Sequence, residues 1–213
     1  MKGPRRADGF SMVEVLIASA ITVTITGAIL AVINPAQTLV RAQGDAADLH
    51  QRLRAATDTL AGDLRAASAV RPYRIGATRD DGAAGVYYRP DTLTVVGDAM
   101  TTYYFKADSS ELMRYDGGSS DLPIVEHVVR LTFEYFGSAT SPDRALVRLD
   151  PGVLADGPWS EDPSHRRFDA DLLRISAVRV DIRLEATAPS LRSLVPDEEI
   201  VVSVALRNRT PAE

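Results

Sequence analysis

The chain of 213 residues contains no cysteine. Disulfide bonds and thiolate sites are therefore excluded. The sequence also lacks a P-loop, a dinucleotide-binding fingerprint and a G-x-S-x-G elbow, the short motifs of nucleotide binding and of serine hydrolases. We expect a protein that is not an enzyme and that needs no cofactor.

Histidine is scarce, and its three copies are scattered along the chain at His50, His127 and His165. Only His165 has carboxylates nearby, Glu161 and Asp162, and a solvated loop explains this grouping better than a cation site does. Asp80 and Asp81 would bind calcium only if other segments supplied further oxygens, so a turn is the simpler interpretation. The sequence predicts no metal site.

A concentrated basic surface is missing too. The formal net charge is -5, whereas neutralising nucleic-acid phosphates needs clustered Lys and Arg side chains. We therefore expect no nucleic-acid partner for this chain alone.

What the chain does have is one long apolar stretch near its N-terminus. A short basic leader ends at Gly9, and residues 10–33 then carry a single charge, that of Glu14. About 20 apolar residues suffice for a helix to cross a bilayer, while the apolar region of a secretory signal has only about 7 to 15. We predict a transmembrane helix over residues 10–33. By the positive-inside rule, the leader stays cytoplasmic and the C-terminal part lies across the membrane.

The start of this stretch, residues 9–14 (GFSMVE), resembles the class III signal of type IV prepilins and type II secretion pseudopilins. In that family a membrane-embedded aspartyl peptidase, which is also the methyltransferase, cleaves after the glycine and methylates the new terminal phenylalanine. The resemblance implies a leader of residues 1–9, cleavage between Gly9 and Phe10, and N-methylation of Phe10. The sequence departs from the commoner pattern at Ser11-Met12, which replaces Thr-Leu, and at Asp8, an acid directly before the glycine. Losing the leader removes three bases and one acid, which changes the formal charge from -5 to -7.

The resemblance also implies a role for Glu14. In a filament of this family the anchors pack into a waterless core, where the amine of Phe10 in one subunit and the carboxylate of Glu14 in its neighbour would each be costly alone. Removing one partner of a buried ion pair costs about 3 to 5 kcal/mol, so the pair would act as a register check during assembly. The alternative is that Glu14 lies at headgroup level and only snorkels.

Asn34 and Pro35 follow the apolar stretch. Because proline removes a backbone donor and clashes with the carbonyl four residues earlier, we predict a helix that kinks at Pro35; the alternative is that the anchor simply ends there. Apolar residues then recur at steps of three and four, the pattern of one helix face. We predict an amphipathic helix over residues 34–70, the spine of the head, so that one helix covers residues 10 to about 70; the alternative is an anchor followed by an unrelated soluble helix. The apolar positions are Leu39, Ala42, Ala46, Leu49, Leu53, Ala56, Leu60, Leu64 and Ala67.

Residues 71–213 are predicted to form a β-rich globular head. Apolar and polar residues alternate with a period of two over 129–135 and 178–184, which indicates half-buried antiparallel strands. Shorter strand candidates lie at 86–88, 93–96, 101–106, 112–115, 145–149 and 200–206, with a turn at 116–121. The predicted fold class is α+β, a long N-terminal helix packed on an antiparallel sheet.

The longest loop of the head, residues 150–172, contains Trp159, the only tryptophan. Loops longer than about 12 to 15 residues inside compact domains are usually functional or disordered, and tryptophan is enriched at binding hot spots. Trp159 is therefore a candidate head contact if it faces solvent. Folding back onto the sheet is the alternative.

Later segments resemble the larger minor subunits of the same family, pseudopilin J of type II secretion and the PilW-like minor pilin. The similar segments follow one another along most of the chain: Arg54, 60–67 (LAGDLRAA), 112–115 (LMRY), 128–135 (VVRLTFEY) and 204–209 (VALRNR). The family fold, a long helix packed on antiparallel sheet, agrees with the periodicities above.

We therefore expect a minor pilin or pseudopilin, a structural subunit of the tip or initiation complex of a type IV pilus or type II secretion pseudopilus. Its partners would be other minor subunits, the major subunit and the prepilin peptidase. It would sit in the inner membrane as a single-pass protein with a periplasmic head, and in the periplasm or at the cell surface once assembled. The alternative is a membrane-tethered periplasmic binding module that does not polymerise. A released enzyme is disfavoured by the missing site.

Overall fold

The computed structural model describes residues 11–73, 88–138, 146–154 and 175–207. These residues form a long helix α1 (Met12–Ala66), a four-residue helix α2 (Pro151–Leu154), a single 3-10 turn and nine strands in two antiparallel sheets. The protein is therefore α+β, as predicted. It divides into two compact units, residues 1–44 and 45–213.

The first unit, where the structure describes it, consists of the start of α1. Ser11 precedes the helix, and its carbonyl accepts a hydrogen bond from the Val15 N–H at 3.1 Å. The helix continues through Pro35, so it does not end at Asn34-Pro35. Proline donates no hydrogen bond to the carbonyl of Ala31, four residues earlier. The kink predicted there stays a prediction.

The apolar side chains of this unit are exposed from Met12 to Val40, whereas Ala42 is buried. The hydroxyl groups of Ser19, Thr22 and Thr24 donate to the carbonyl four residues earlier, at 2.7, 2.8 and 2.8 Å, so these three add no unsatisfied donors to the surface. In the part of the chain that the structure describes, α1 is the one helix long and apolar enough to cross a membrane, judged by length and composition.

In the second unit, residues 45–66 of α1 pack their apolar face against both sheets. Five of the predicted apolar positions in this part of the helix are buried, which confirms the predicted core face. Ala67, just after the helix, is also buried, whereas Leu39, earlier in the predicted stripe, is exposed. The buried helical positions are Leu49, Leu53, Ala56, Leu60 and Leu64.

The helix ends at Ala66, so the predicted extension to residue 70 is wrong. Ser68 explains the early end, because its N–H and its hydroxyl both donate to the Val96 carbonyl, at 2.8 and 3.0 Å. These bonds draw the chain into a sheet, where Ala69–Arg71 form a strand instead.

Sheet 1 has five strands in the order of the chain, and the predicted strands 93–96, 101–106 and 112–115 lie within it. Its last strand was not predicted, and it contains Pro123, a residue that sheets tolerate at their edges. The predicted turn before it is present, since the carboxylate of Asp116 accepts hydrogen bonds from the N–H groups of Gly118 and Ser120. The strands are β1 (Ala69–Arg71), β2 (Thr92–Val96), β3 (Met100–Lys106), β4 (Glu111–Tyr115) and β5 (Asp121–Val125).

Sheet 2 has four strands in the order β7-β6-β8-β9, and the predicted alternation is confirmed on β6 and β8 except at Val129. Val129 is 47% exposed, because the pairing register shifts between Val128 and Arg130 and Val128 takes the buried position. Such a bulge reverses the direction of one side chain. The strands are β6 (Val128–Ser138), β7 (Leu146–Arg148), β8 (Ile175–Leu184) and β9 (Glu198–Ala205).

Two hydrogen bonds connect β6 of sheet 2 to β2 of sheet 1 and to the residues just before it. The Phe133 N–H donates to the Pro90 carbonyl at 2.8 Å, and the buried Tyr135 hydroxyl donates to the Thr92 carbonyl at 3.1 Å. These bonds satisfy polar groups that the contact between the sheets removes from water. The core of the second unit therefore lies between α1, sheet 1 and sheet 2.

Candidate functional site

The predicted N-terminal site is described from Ser11 onward. Gly9 and Phe10 lie outside the described residues, so leader cleavage and N-methylation stay predictions. Glu14 lies in the first turn of α1 and is exposed. Among the described residues, its carboxylate makes no hydrogen bond or ion pair.

Ser11 and Glu14 stand at the spacing of a helix-capping box, a signal that the sequence carries as S-x-x-E before an apolar run. Ser11 behaves as the cap, since its hydroxyl accepts from the Val13 N–H at 3.4 Å and its carbonyl accepts from the Glu14 N–H at 3.0 Å. A carboxylate in the first turn also interacts favourably with the free N–H groups of the helix end. Glu14 therefore has a local structural role available beside the intersubunit one.

A shallow groove runs along α1 next to Glu14, where small side chains leave room on one face. The hydroxyls of Ser19 and Thr22 are both satisfied by the helix backbone, so the groove offers only apolar contact below the carboxylate. This arrangement suits a partner that combines an apolar body with a cationic end. The groove residues are Glu14, Val15, Ala18, Ser19, Thr22 and Val23.

In the second unit, three polar side chains fasten α1 to sheet 1. The hydroxyl of the fully buried Tyr103 donates to the carboxylate of Asp63, and Arg114 donates to the same oxygen at 3.3 Å. Burial first, and then the hydrogen bond to Asp63, raise the pKa of Tyr103 above its usual value. The hydrogen bond with Tyr103 raises the pKa of Arg114. Tyr103 and Arg114 therefore keep their protons over the ordinary pH range, so the arrangement suits a structural clamp and not proton transfer.

Arg52 lines a cleft of about 350 Å³ between α1, β5 and the segment after β8. Its guanidinium donates to the Asp48 carboxylate and to the Thr187 hydroxyl, both at 2.8 Å, and to the Glu126 carbonyl at 3.4 Å. These three acceptors take three of the five N–H donors of the guanidinium. Arg52 therefore holds this end of the core together, and among the described residues it is the one cation that lines the cleft.

The outer face of sheet 2 carries a ladder of paired charges. Glu134 binds both Arg148 and Arg179, at 2.9 and 3.2 Å, and Arg130 bridges two carboxylates. Exposed pairs of this kind contribute about 0.2 to 1 kcal/mol each. The bridged carboxylates are Asp181, at 3.0 Å, and Glu199, at 2.8 Å.

The histidines that the structure describes are far from a metal-binding arrangement. His50 contacts Glu198 at 3.0 Å, and His127 adopts a left-handed backbone conformation in which its carbonyl accepts from the Glu185 N–H. The described residues include no group of three histidine or carboxylate side chains that could hold an ion. Trp159, His165, Asp80 and Asp81 lie outside the described residues.

Comparison of the sequence with models of known protein families gives no match, and no curated protein matches it either.

Proposed function

We propose that the protein is a minor pilin or pseudopilin, a subunit of the tip or initiation complex of a type IV pilus or type II secretion pseudopilus. The head would carry contacts to other minor subunits and to the major subunit. The anchor would hold the subunit in the inner membrane until the filament takes it up.

The observation that carries this proposal is the composition of α1. One helix opens on an exposed carboxylate, continues through an exposed apolar stretch, and ends as the buried core element of an α+β head. A plain membrane tether needs only the apolar stretch. A subunit that enters a filament by its helix needs all three parts.

Glu14 supports the same proposal, because an unpaired carboxylate in a membrane-spanning helix is unfavourable in free energy. At the centre of a membrane-spanning helix a carboxylate costs about 2.5 to 3.5 kcal/mol by insertion scales. Glu14 lies in the first turn of α1, and no described side chain of this chain pairs with it. The groove beside it is lined by small and apolar side chains, against which an apolar helix of a neighbouring subunit would pack. The amine of a processed Phe10 in a neighbouring subunit would supply the missing positive charge.

The experiment is mass spectrometry of the mature N-terminal peptide, purified from cells with the prepilin peptidase and from matched cells lacking it. We expect a peptide that begins at N-methylated Phe10 and that disappears without the peptidase. An intact leader in both strains, or a terminus inside the apolar stretch, would contradict the proposal and leave a tethered or released protein as the explanation.

A further inference from the structure

The free edge of sheet 2, strand β9, differs from the other three sheet edges of the described chain. β1 and β7 have three residues each, and β5 contains Pro123 and a register shift against β4. β9 has eight residues in unshifted register with β8, without proline or lysine. Short strands, proline, bulges and charged side chains, lysine above all, are the usual means by which proteins prevent an edge from pairing. Of these, β9 has only the two glutamates at its start.

The direction of the backbone groups on β9 follows from one hydrogen bond. The Leu206 N–H donates to the Ser176 carbonyl at 2.9 Å, just beyond the pair of Ala205 with Ala177. Because directly bonded and non-bonded pairs alternate along antiparallel strands, residues 198, 200, 202 and 204 direct their N–H and carbonyl groups toward β8. The backbone groups of Glu199, Val201, Ser203 and Ala205 therefore point to the free edge, where no described residue pairs with them.

The side chains show that the core is incompletely covered at this edge. Ile200 and Val202 are only half-buried, although Ile182 and Val180, which they face on β8, are fully buried. On the other face, Val201 is 51% exposed. One more strand would bury these side chains and satisfy the outward backbone groups together.

The charges near the start of β9 indicate which kind of added strand would pair with it. Among the described residues, four carboxylates lie there against two guanidiniums: Arg130 bridges Asp181 and Glu199, and Arg183 binds Asp197 at 2.9 Å. The fourth carboxylate, Glu198, contacts His50 at 3.0 Å. A basic strand would complement this excess. β9 of a second copy would bring two further carboxylates, and its nearest following basic residue, Arg207, lies beyond the end of the strand.

We propose that β9 is a strand-addition site for an extended, basic segment of a partner polypeptide, with β-branched residues at alternate positions and a basic residue against Glu198 and Glu199. Backbone hydrogen bonds would supply the affinity, and the acidic start of β9 would set the direction and register. The proposal does not depend on the filament function, since it concerns the sheet edge and not the anchor.

The test uses the full chain in detergent micelles and a fluorescent synthetic peptide of about seven residues that alternates Val and Thr and ends in two Lys. We expect saturable binding that weakens with salt. The variant Val201→Pro should lower the affinity about tenfold or more, because it removes an outward N–H and inserts a ring at the edge while leaving every bond to β8 in place. Val201→Thr, which keeps the N–H and the branched side chain, is the matched control and should bind as the wild type does.

Two readouts keep the test independent of variant folding. Hydrogen exchange on the wild-type chain should show that the peptide protects the Val201 and Ser203 amides. A peptide ending in two Glu in place of Lys should bind more weakly, and the double variant Glu198→Gln/Glu199→Gln should remove that difference. Equal binding of Val201→Pro and Val201→Thr, absence of amide protection, or self-association of the wild type that Val201→Pro abolishes would each overturn the proposal.

Discussion

At the scale of single residues, two roles are proposed for Glu14, helix capping and pairing with the amine of a neighbouring subunit, and its substitutions separate them. Glu14→Gln removes the charge but keeps an oxygen that can complete the capping box with Ser11, whereas Glu14→Ala removes both. If Glu14 pairs with an amine of a neighbour, the loss of about 3 to 5 kcal/mol should abolish incorporation into sheared filaments for both variants. Immunoblots of the sheared fraction measure this.

Ser19→Ala is the matched control for Glu14, because it lies on the same groove and its hydroxyl bonds only its own helix. It should be incorporated at the wild-type level. Wild-type incorporation of Glu14→Gln together with a defect in Glu14→Ala would assign Glu14 to helix capping and contradict the intersubunit pair.

The Tyr103 clamp is the second residue whose contribution can be measured. Tyr103→Phe keeps the buried ring but removes the hydroxyl that donates a hydrogen bond to Asp63, so we expect a loss of about 1 to 2 kcal/mol in the free energy of unfolding. Chemical denaturation of the full chain in micelles measures it. Tyr104→Phe is the control, since the Tyr104 hydroxyl donates to Asp121 at an exposed position and should matter by less than about 0.5 kcal/mol. Equal losses in the two variants would rule out a special role for the clamp.

At the scale of elements, we predict that Pro35 kinks α1. Pro35→Ala restores an N–H donor for the Ala31 carbonyl and removes the ring clash, so the helix should straighten around this position. Spin labels at Val23→Cys and Gln43→Cys report the change, and the absence of native cysteine leaves no competing label site. We expect a longer and narrower distance distribution in Pro35→Ala than in Asn34→Ala, the control. Identical distributions would show that Pro35 produces no kink.

The elements that the sequence predicted well share one property: their pattern of apolar and polar residues repeats several times along the element. The apolar face of α1 and the alternation of β8 repeat often enough to identify which side is buried. β5 was missed because Pro123 argues against a strand unless the strand is known to be an edge. The predicted burial of Val129 was wrong because a bulge depends on how the strand pairs with its neighbour, and the local sequence pattern does not contain that information.

The candidate functional residues also fall into two groups, those that a local sequence pattern indicates and those that only the tertiary fold brings together. The position of Glu14 at the start of an apolar helix follows from local spacing, and the capping box was readable from the same residues. The Tyr103 clamp joins residues 40 positions apart, and the contact of Arg52 with Thr187 spans 135 positions. Contacts of that kind require the tertiary fold, so no local pattern could indicate them.

At the scale of the whole molecule, buried tyrosines predict sensitivity to alkali. The pKa values of Tyr88, Tyr103 and Tyr135 are all raised, in each case first by burial. Tyrosines of the unfolded chain ionise near their ordinary pKa of about 10, while those of the folded chain stay protonated. The stabilising effect is therefore fully present below about pH 10 and is lost as the pH rises above it.

Denaturation of the full chain between about pH 8 and pH 12 checks this expectation. The free energy of unfolding should stay level up to about pH 10 and then fall, in step with tyrosinate absorbance. The variant Tyr103→Phe should show a shallower fall, since it has one raised group fewer. A flat profile over the whole of this range would contradict the expectation.

The charge ladder on sheet 2 constrains how this protein can change over evolution. Glu134 and Arg130 each serve two partners, so a substitution at either leaves two unpaired charges, whereas losing Arg148 removes one of two cations at Glu134. Among descendants of this sequence, the peripheral arginines should therefore be replaced freely, one at a time. Positions 130 and 134 should change rarely, and then together with the residues that face them.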